Sequence, residues 1–235
     1  MTTSPLDVLA IDRRAVAQRT QLDEGSWVDV VPGFVRDPSG AFATIYASAP
    51  WAQTEVLRYD KYVAEQRLSA GLRPETWPML RQTDLHLRSV YRQQMDGVAA
   101  ILYRTGDDFQ GLHSDRAMRW LDDTLIAIIV LGQRRPFVIR RRGSWIESLA
   151  ERVPAGEGSD DLVLLPGEGD LLVMGGRCQA DWLHGIPAAD TPHPRISLTW
   201  RWTSRRGRPD SNPGHYEGRQ FGDRPRQPGT RVRSV

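Results

Sequence analysis

Residues 169–202 read GDLLVMGGRCQADWLHGIPAADTPHPRISLTWRW, and the end of this stretch has a strict period of two. Ile196, Leu198, Trp200 and Trp202 fall on one side, and Arg195, Ser197, Thr199 and Arg201 on the other. Alternation of this kind marks a β-strand with one face against an apolar layer. The second face carries an arginine at each end, so it meets either solvent or a site for an anion. Upstream, a Gly-rich turn leads to a lone histidine, His184.

Working outward, Asp170–Met174 and Leu162–Leu165 read as further strands, and the acidic, Gly-containing segment Gly143–Asp161 as a hairpin excursion with a loop. Leu125–Leu131 is apolar throughout, which marks a buried strand, and Pro136–Arg141 alternates and reads as its neighbour. Val98–Tyr103 is a short apolar strand followed by a turn at Thr105-Gly106-Asp107. Pro74–Met95 has apolar residues at helical spacing and is closed by Gly97. Trp51–Arg67 reads as strand and loop. A helix is expected to start at Asp37-Pro38-Ser39 and run to Ala49, preceded by a strand over Ser26–Val35 that runs into a Pro-Gly turn. Strands that follow one another with turn signals between them, preceded by helices, predict an α+β fold built on a β-sandwich or jelly roll. No strand–helix alternation, phosphate loop or repeat is present. The expected organisation is a leader over 1–25, one domain over 26–203, and a tail over 204–235.

The chain has 235 residues and a net charge of +2. Its tail carries eight arginines against three acidic residues, so the remainder is net negative and basicity belongs to the tail. The tail is rich in Gly, Pro and Arg with almost no aliphatics, a composition expected to stay flexible or draped. Cys178 is the single cysteine, which excludes an intrachain disulfide and a cysteine-rich zinc site. No long apolar run and no signal-peptide pattern are evident, so a soluble, cytoplasmic protein with no membrane association is expected.

The chemistry centres on Leu112-His113-Ser114-Asp115. In extended chain His113 and Asp115 project to the same side, where an imidazole and a carboxylate can share one metal ion. With His184 as third ligand the set is two histidines and one carboxylate, an arrangement that leaves open positions and suits non-haem Fe(II). Such a site needs electrons to activate dioxygen, and a 2-oxo acid supplies them. Its far carboxylate calls for a cation, and arginine's planar fork serves best. Arg195 and Arg201 lie on the strand that follows His184. Trp200 and Trp202 suggest packing on the opposite face, and enclosing two arginines demands anions.

His113-Ser114-Asp115, the stretch GDLLVMGGRCQADWLHGIP and then RISLTWR together resemble the AlkB family of Fe(II)/2-oxoglutarate-dependent dioxygenases, and most of all its nucleic-acid dealkylating members. The resemblance covers about Val98–Thr203 firmly and Ser26–Gly97 loosely. It implies a double-stranded β-helix, or jelly roll, with helices packed against one sheet. It implies iron held by His113, Asp115 and His184, with 2-oxoglutarate and O2 as co-substrates. Tyr103 matches a tyrosine that contacts 2-oxoglutarate. Arg195 takes the role of pairing with an acidic ligand or substrate-side group near the metal, and Arg201 that of binding the distal carboxylate. The implied activity is oxidative demethylation of alkylated DNA or RNA bases, as in repair of DNA alkylation damage. The products would be succinate, CO2 and formaldehyde.

The chain departs from the pattern in three places. Ile101 stands where the family has an asparagine. Arg116, Ala117 and Met118 follow the HxD motif where repair members carry a second carboxylate. The segment Arg67-Leu68-Ser69-Ala70-Gly71-Leu72 lacks the aromatic of the nucleotide-recognition lid. Tyr59, Tyr62 and Arg67 are the candidate substrate contacts, with Tyr59 or Tyr62 able to stack on a flipped base. The alternatives are the same oxygenase chemistry on a small molecule or protein side chain, and a non-catalytic nucleic-acid-binding module of the same fold.

Overall fold

Leu125–Leu131 is apolar at every position because both of its faces are covered. Leu125, Ala127, Ile129 and Leu131 belong to one buried cluster, and Ile126, Ile128 and Val130 to a second on the opposite side. This strand runs through the middle of a computed structural model that describes residues 11–58, 61–115, 118–143, 160–210 and 230–234. The strands are β1 (Gln18–Gln21), β2 (Ser26–Val31), β3 (Ala52–Arg58), β4 (Lys61–Leu72), β5 (Val98–Tyr103), β6 (Gln110–His113), β7 (Thr124–Gly132), β8 (Phe137–Arg141), β9 (Leu162–Leu164), β10 (Leu171–Gly176), β11 (Trp182–Ile186), β12 (Arg195–Thr203) and β13 (Thr230–Ser234). The helices are α1 (Pro38–Ser48), α2 (Pro78–Tyr91) and a single turn, α3 (Cys178–Asp181).

Among the described residues the strands form two antiparallel sheets. The larger has the order β1-β2-β10-β7-β12-β5-β4-β3-β13, and the smaller β6-β11-β8-β9. This is the expected jelly roll. The first cluster lies between the large sheet and the helices, where Ala41 and Ile45 of α1 and Met79, Leu80 and Leu87 of α2 meet Ile196, Leu198 and Trp200. The second lies between the sheets, where Ile126 and Ile128 meet Phe137, Ile139 and Ile186. Both faces of β12 are therefore enclosed, its apolar face under the helices and its polar face between the sheets. Among the described residues, no helix is long and apolar enough to cross a membrane.

α1 starts where its sequence says it should. Pro38 occupies the first turn and the Asp37 carboxylate accepts from the Gly40 N–H at 3.0 Å. The second helix is shorter than the expected Pro74–Met95. Pro74–Thr76 forms a 3₁₀ turn, Trp77 is extended because Pro78 follows it, and α2 ends at Tyr91 with Arg92 left-handed. Pro136–Arg141 is also corrected. Its residues form β8 in the smaller sheet, across the gap from β7 rather than beside it. The leader joins the large sheet at β1, which pairs with β2, and ahead of it Ile11 is buried and bridges Val35. Arg19 forks onto Asp29 at 2.7 and 2.8 Å, and the Tyr91 hydroxyl donates to the same carboxylate at 3.0 Å. Residues of the tail return as β13 beside β3. The excursion expected over Gly143–Asp161 falls mostly on 144–159, outside the described residues.

Two glycines ahead of His184 permit a close approach that no other residue would. A Cβ on Gly175 would stand 2.0 Å from Trp27 Cζ2, and Gly176 has φ +69 with Gly25 O equally close. Trp27 has little freedom to yield, since Arg19 lies 3.8 Å above its ring and Tyr91 stacks at 5.8 Å. Gly175→Ala is expected to destabilise the fold by about 1–3 kcal/mol through overpacking, measured by urea unfolding.

Candidate active site

β6 and β11 are adjacent and antiparallel in the smaller sheet, with His113 directly opposite His184. Their rings lie 4.3 Å apart, centroid to centroid. The pairing is this close because Gly185 has no side chain: a Cβ there would meet Gln110 O at 2.8 Å. Asp115 follows β6 by two residues, and one ligand atom from each of His113, Asp115 and His184 lies within 4.8 Å of the others. The structure thus brings together the three residues expected to bind metal.

Each is oriented by a neighbour. Nδ1 of His113 is 2.9 Å from Gly111 O. A carbonyl can only accept, so Nδ1 carries the proton and Nε2 keeps its lone pair. That lone pair faces Asp115 Oδ1 at 3.6 Å. Two acceptors turned toward each other need a cation between them, and the set fits one metal ion with positions left open. The other carboxylate oxygen, Asp115 Oδ2, accepts from Arg201 Nε at 2.7 Å, and the Asp115 N–H donates to Gln179 Oε1 at 2.8 Å. Burial pushes the Asp115 carboxyl upward, but the Arg201 guanidinium beside it outweighs that effect and, with the two imidazoles next to it, holds the carboxyl well below the usual carboxylate range. His184 stacks on Phe137 at 5.7 Å. Its burial, followed by the nearby His113, brings its pKa down to about 3, so it stays neutral and able to ligate.

Arg201 therefore pairs with the metal carboxylate, the role expected of Arg195. The two arginines are six residues apart on one strand, roughly 20 Å at 3.3 Å per residue, so neither can serve the other's end. Arg195 stands at the far end, opposite Tyr103 in the β12–β5 register. It is 0% exposed, donates Nη1 to Arg135 O at 3.3 Å and Nε to Ser197 Oγ at 3.4 Å, and its Nη2 has no partner among the described residues. Burial first, then Arg135, lowers its pKa to about 10, against an opposing effect of Tyr103. An unmatched, buried guanidinium N–H is a place for a carboxylate. Tyr103 is buried beside it; burial raises its pKa while the charges of Arg67, Arg195 and Arg135 act in the other direction. Ile101, at the family's asparagine position, pairs with Ser197 on the same two strands.

Of the candidate substrate contacts, Arg67 lies in β4 and pairs with Glu65 at 2.7 Å. Tyr62 is placed by its backbone in β4, whereas Tyr59, Arg116 and Ala117 lie outside the described residues. Sequence reasoning missed Gln179 and Arg135. Gln179 sits inside the GGRCQADWLH stretch, but a glutamine in a short turn carries no signal of its own. Arg135 follows Arg134 in a loop, with nothing to separate it from a solvated charge.

His184 is a base whose folded pKa is depressed, so the unfolded chain takes up a proton that the folded chain refuses. Its contribution to stability is present above the unfolded value of about 6.5 and is lost as pH falls toward about 3. In chelator, stability of the protein is expected to fall by up to roughly 1.4 kcal/mol per pH unit below pH 6 from this group. Substituting His184→Phe should flatten that slope between pH 6 and 4.5 in urea unfolding curves.

Residues 61–201 match the family model of the 2OG-Fe(II) oxygenase superfamily. The chain is 28% identical to human alpha-ketoglutarate-dependent dioxygenase alkB homolog 3, covering 81% of this chain and 71% of that protein. It is 28% identical to the Bos taurus protein of the same name, over 75% and 66%. Among solved structures, HygX from Streptomyces hygroscopicus with nickel and 2-oxoglutarate bound shares the fold, with a TM-score of 0.52, 13% identity, and coverage of 74% of this chain and 81% of that one. The HxD pair on β6, the distant histidine on β11 and the two-arginine strand β12 thus lie in a chain that belongs to the 2OG-Fe(II) oxygenase superfamily and, within it, to the AlkB family of Fe(II)/2-oxoglutarate-dependent dioxygenases.

Proposed function

We propose that this dioxygenase removes N-alkyl groups from alkylated bases of DNA or RNA. The observation that carries the reading is the His113–Asp115–His184 cluster joined, along one face of β12, to the unmatched Arg195 beside Tyr103. The likeness to proteins named alkB homolog 3 extends over most of the chain and supports the substrate class.

Iron(II) with 2-oxoglutarate and O2 supplies the oxidising power: one oxygen atom goes to succinate as CO2 leaves, and the other to a C–H bond of the substrate. The chain's own residues arrange this. His113, Asp115 and His184 offer three ligand atoms and leave the remaining positions to co-substrates. Arg201 keeps the Asp115 carboxylate charged and leaves Oδ1 for the metal. Arg195, with Tyr103 near it, receives the distal carboxylate of 2-oxoglutarate. Ile126, Ile128, Phe137 and Ile139 pack the gap between the sheets and exclude water. Hydroxylation at a carbon bound to a base nitrogen gives a hemiaminal. This collapses by releasing formaldehyde and restores the unalkylated nitrogen of the base.

Oligonucleotides bearing 1-methyladenine or 3-methylcytosine, incubated with iron(II), ascorbate and 2-oxoglutarate, are expected to lose their methyl group with stoichiometric formaldehyde. Asp115→Ala should abolish turnover. Consumption of 2-oxoglutarate with no methyl loss from any such oligonucleotide would move the substrate to a small molecule or protein side chain. Absence of succinate altogether would mark a non-catalytic module.

A further inference from the structure

Arg135 lies in the connection between β7 and β8, 1% exposed, and neither the metal set nor the pairing with Asp115 uses it. Its guanidinium donates Nη1 to Thr105 O at 3.2 Å, and Nη2 to Gly106 O at 3.3 Å, Asp108 O at 2.8 Å and Pro187 O at 2.6 Å. These carbonyls belong to the turn after Tyr103 and the residue after β11, so one side chain binds the ends of two strands that build the site. The Arg135 guanidinium carbon stands 5.4 Å from the Tyr103 ring centroid, and the Arg135 carbonyl accepts from Arg195 Nη1. Both groups that line the distal end of the pocket are thus held by Arg135.

The charge balance is unusual. A buried arginine is ordinarily matched by a carboxylate. Here the acceptors are neutral carbonyls, and the nearby acid, Asp108, is taken by Arg104 through a forked pair at 2.8 and 2.9 Å. Arg135 Nε and Arg195 Nη2 both remain buried without a partner among the described residues. Two adjacent guanidiniums therefore leave positive charge beside Tyr103 that the described residues do not balance. An anion brought there gains more than one from a singly charged pocket, because the field is fixed and water is excluded.

We propose that Arg135 is a positioning residue of the co-substrate pocket. It fixes Arg195 and Tyr103 and, with Arg195, gives the pocket enough positive charge to anchor the distal carboxylate of a 2-oxo dicarboxylate without help from the metal. This rests on the reading above that Arg195 receives that carboxylate. The pocket selects its co-substrate by the far carboxylate, before the metal end is engaged.

Two measurements test this. In chelator, isothermal titration of the wild-type protein is expected to show binding of 2-oxoglutarate and of succinate, which carry the distal carboxylate, and none of 2-oxobutyrate, which lacks it. In the Mn(II)-loaded protein, Arg135→Gln is expected to weaken 2-oxoglutarate binding roughly tenfold, with Arg135→Lys intermediate. In the iron-loaded enzyme the change should fall on KM for 2-oxoglutarate, with kcat kept within about threefold. A folded Arg135→Gln protein that binds 2-oxoglutarate as tightly as wild type would overturn the proposal. If that variant does not fold, the chelator titration decides: wild-type protein that binds 2-oxoglutarate only when Mn(II) is present overturns it equally. Failure of 2-oxoglutarate to bind even the Mn(II)-loaded wild type would instead remove the reading of Arg195, and the proposal with it.

Discussion

Arg201 donates to Asp115 at 2.7 Å in the space between the two sheets, where neither side chain has much access to water. A carboxylate enclosed beside the two histidines would otherwise take up a proton and lose its value as a metal ligand. The guanidinium reverses that balance and also decides geometry. By occupying Oδ2 it leaves Oδ1 on the side of His113 Nε2, so the carboxylate presents one oxygen to a metal rather than two. The Gln179 side chain accepts from the Asp115 main-chain N–H and so anchors the backbone that carries the carboxylate. The ion pair is thus a device for orientation as much as for charge, a use for which buried pairs are better suited than for stability.

The pair is possible only because β12 is enclosed on both faces. Its apolar side is covered by α1 and α2 with Trp200 at 0% exposure, which prevents the strand from turning its arginines outward. A shift of one residue in register would place Arg195, Ser197, Thr199 and Arg201 under the helices and the tryptophans between the sheets, so the register is held by the full burial energy of that face. The same alternation runs through β7, whose Ile129 and Leu131 serve the helix layer while Ile126 and Ile128 wall the site. Apolar packing on one side of the large sheet therefore positions polar chemistry on the other.

Those strands with an unambiguous period were legible in the sequence. Val98–Tyr103 and Arg195–Thr203 fall where alternation and apolar runs put them, and α1 begins at its Asp-Pro signal. β6 and β11 were not legible as strands, because Gln110–His113 and Trp182–Ile186 are short and carry histidines and glycine where a period would need apolar residues. Their pairing comes from the closeness that Gly185 allows, a tertiary fact. The break at Trp77 was readable from Pro78, but the helical spacing of the surrounding apolar residues masked it. The division of labour between Arg195 and Arg201 was not readable either. Spacing shows that both share a face; only the fold shows which end of β12 lies over Asp115.

This contrast also explains why the reaction is better defined than the substrate. The groups placed to hold metal and co-substrate stand on, or within two residues of, paired strands of the two sheets, and such positions tolerate little change in length or residue type. The candidate substrate contact Tyr59 and the departures Arg116 and Ala117 fall, in sequence, where strands give way to connections, between β3 and β4 and just after Asp115. There, side chains answer to the shape of a partner rather than to a core, and composition carries little of that information. Arg67 illustrates the difference. It lies on a strand of the large sheet and near Tyr103, yet its partner is Glu65 two residues away, a local pairing that leaves its charge balanced before any substrate arrives. A residue already neutralised by its own strand contributes to the pocket's shape more than to its attraction. Under the proposal above, the charges beside Tyr103 that the described residues leave unbalanced, Arg195 and Arg135, are the ones placed to draw an anion in.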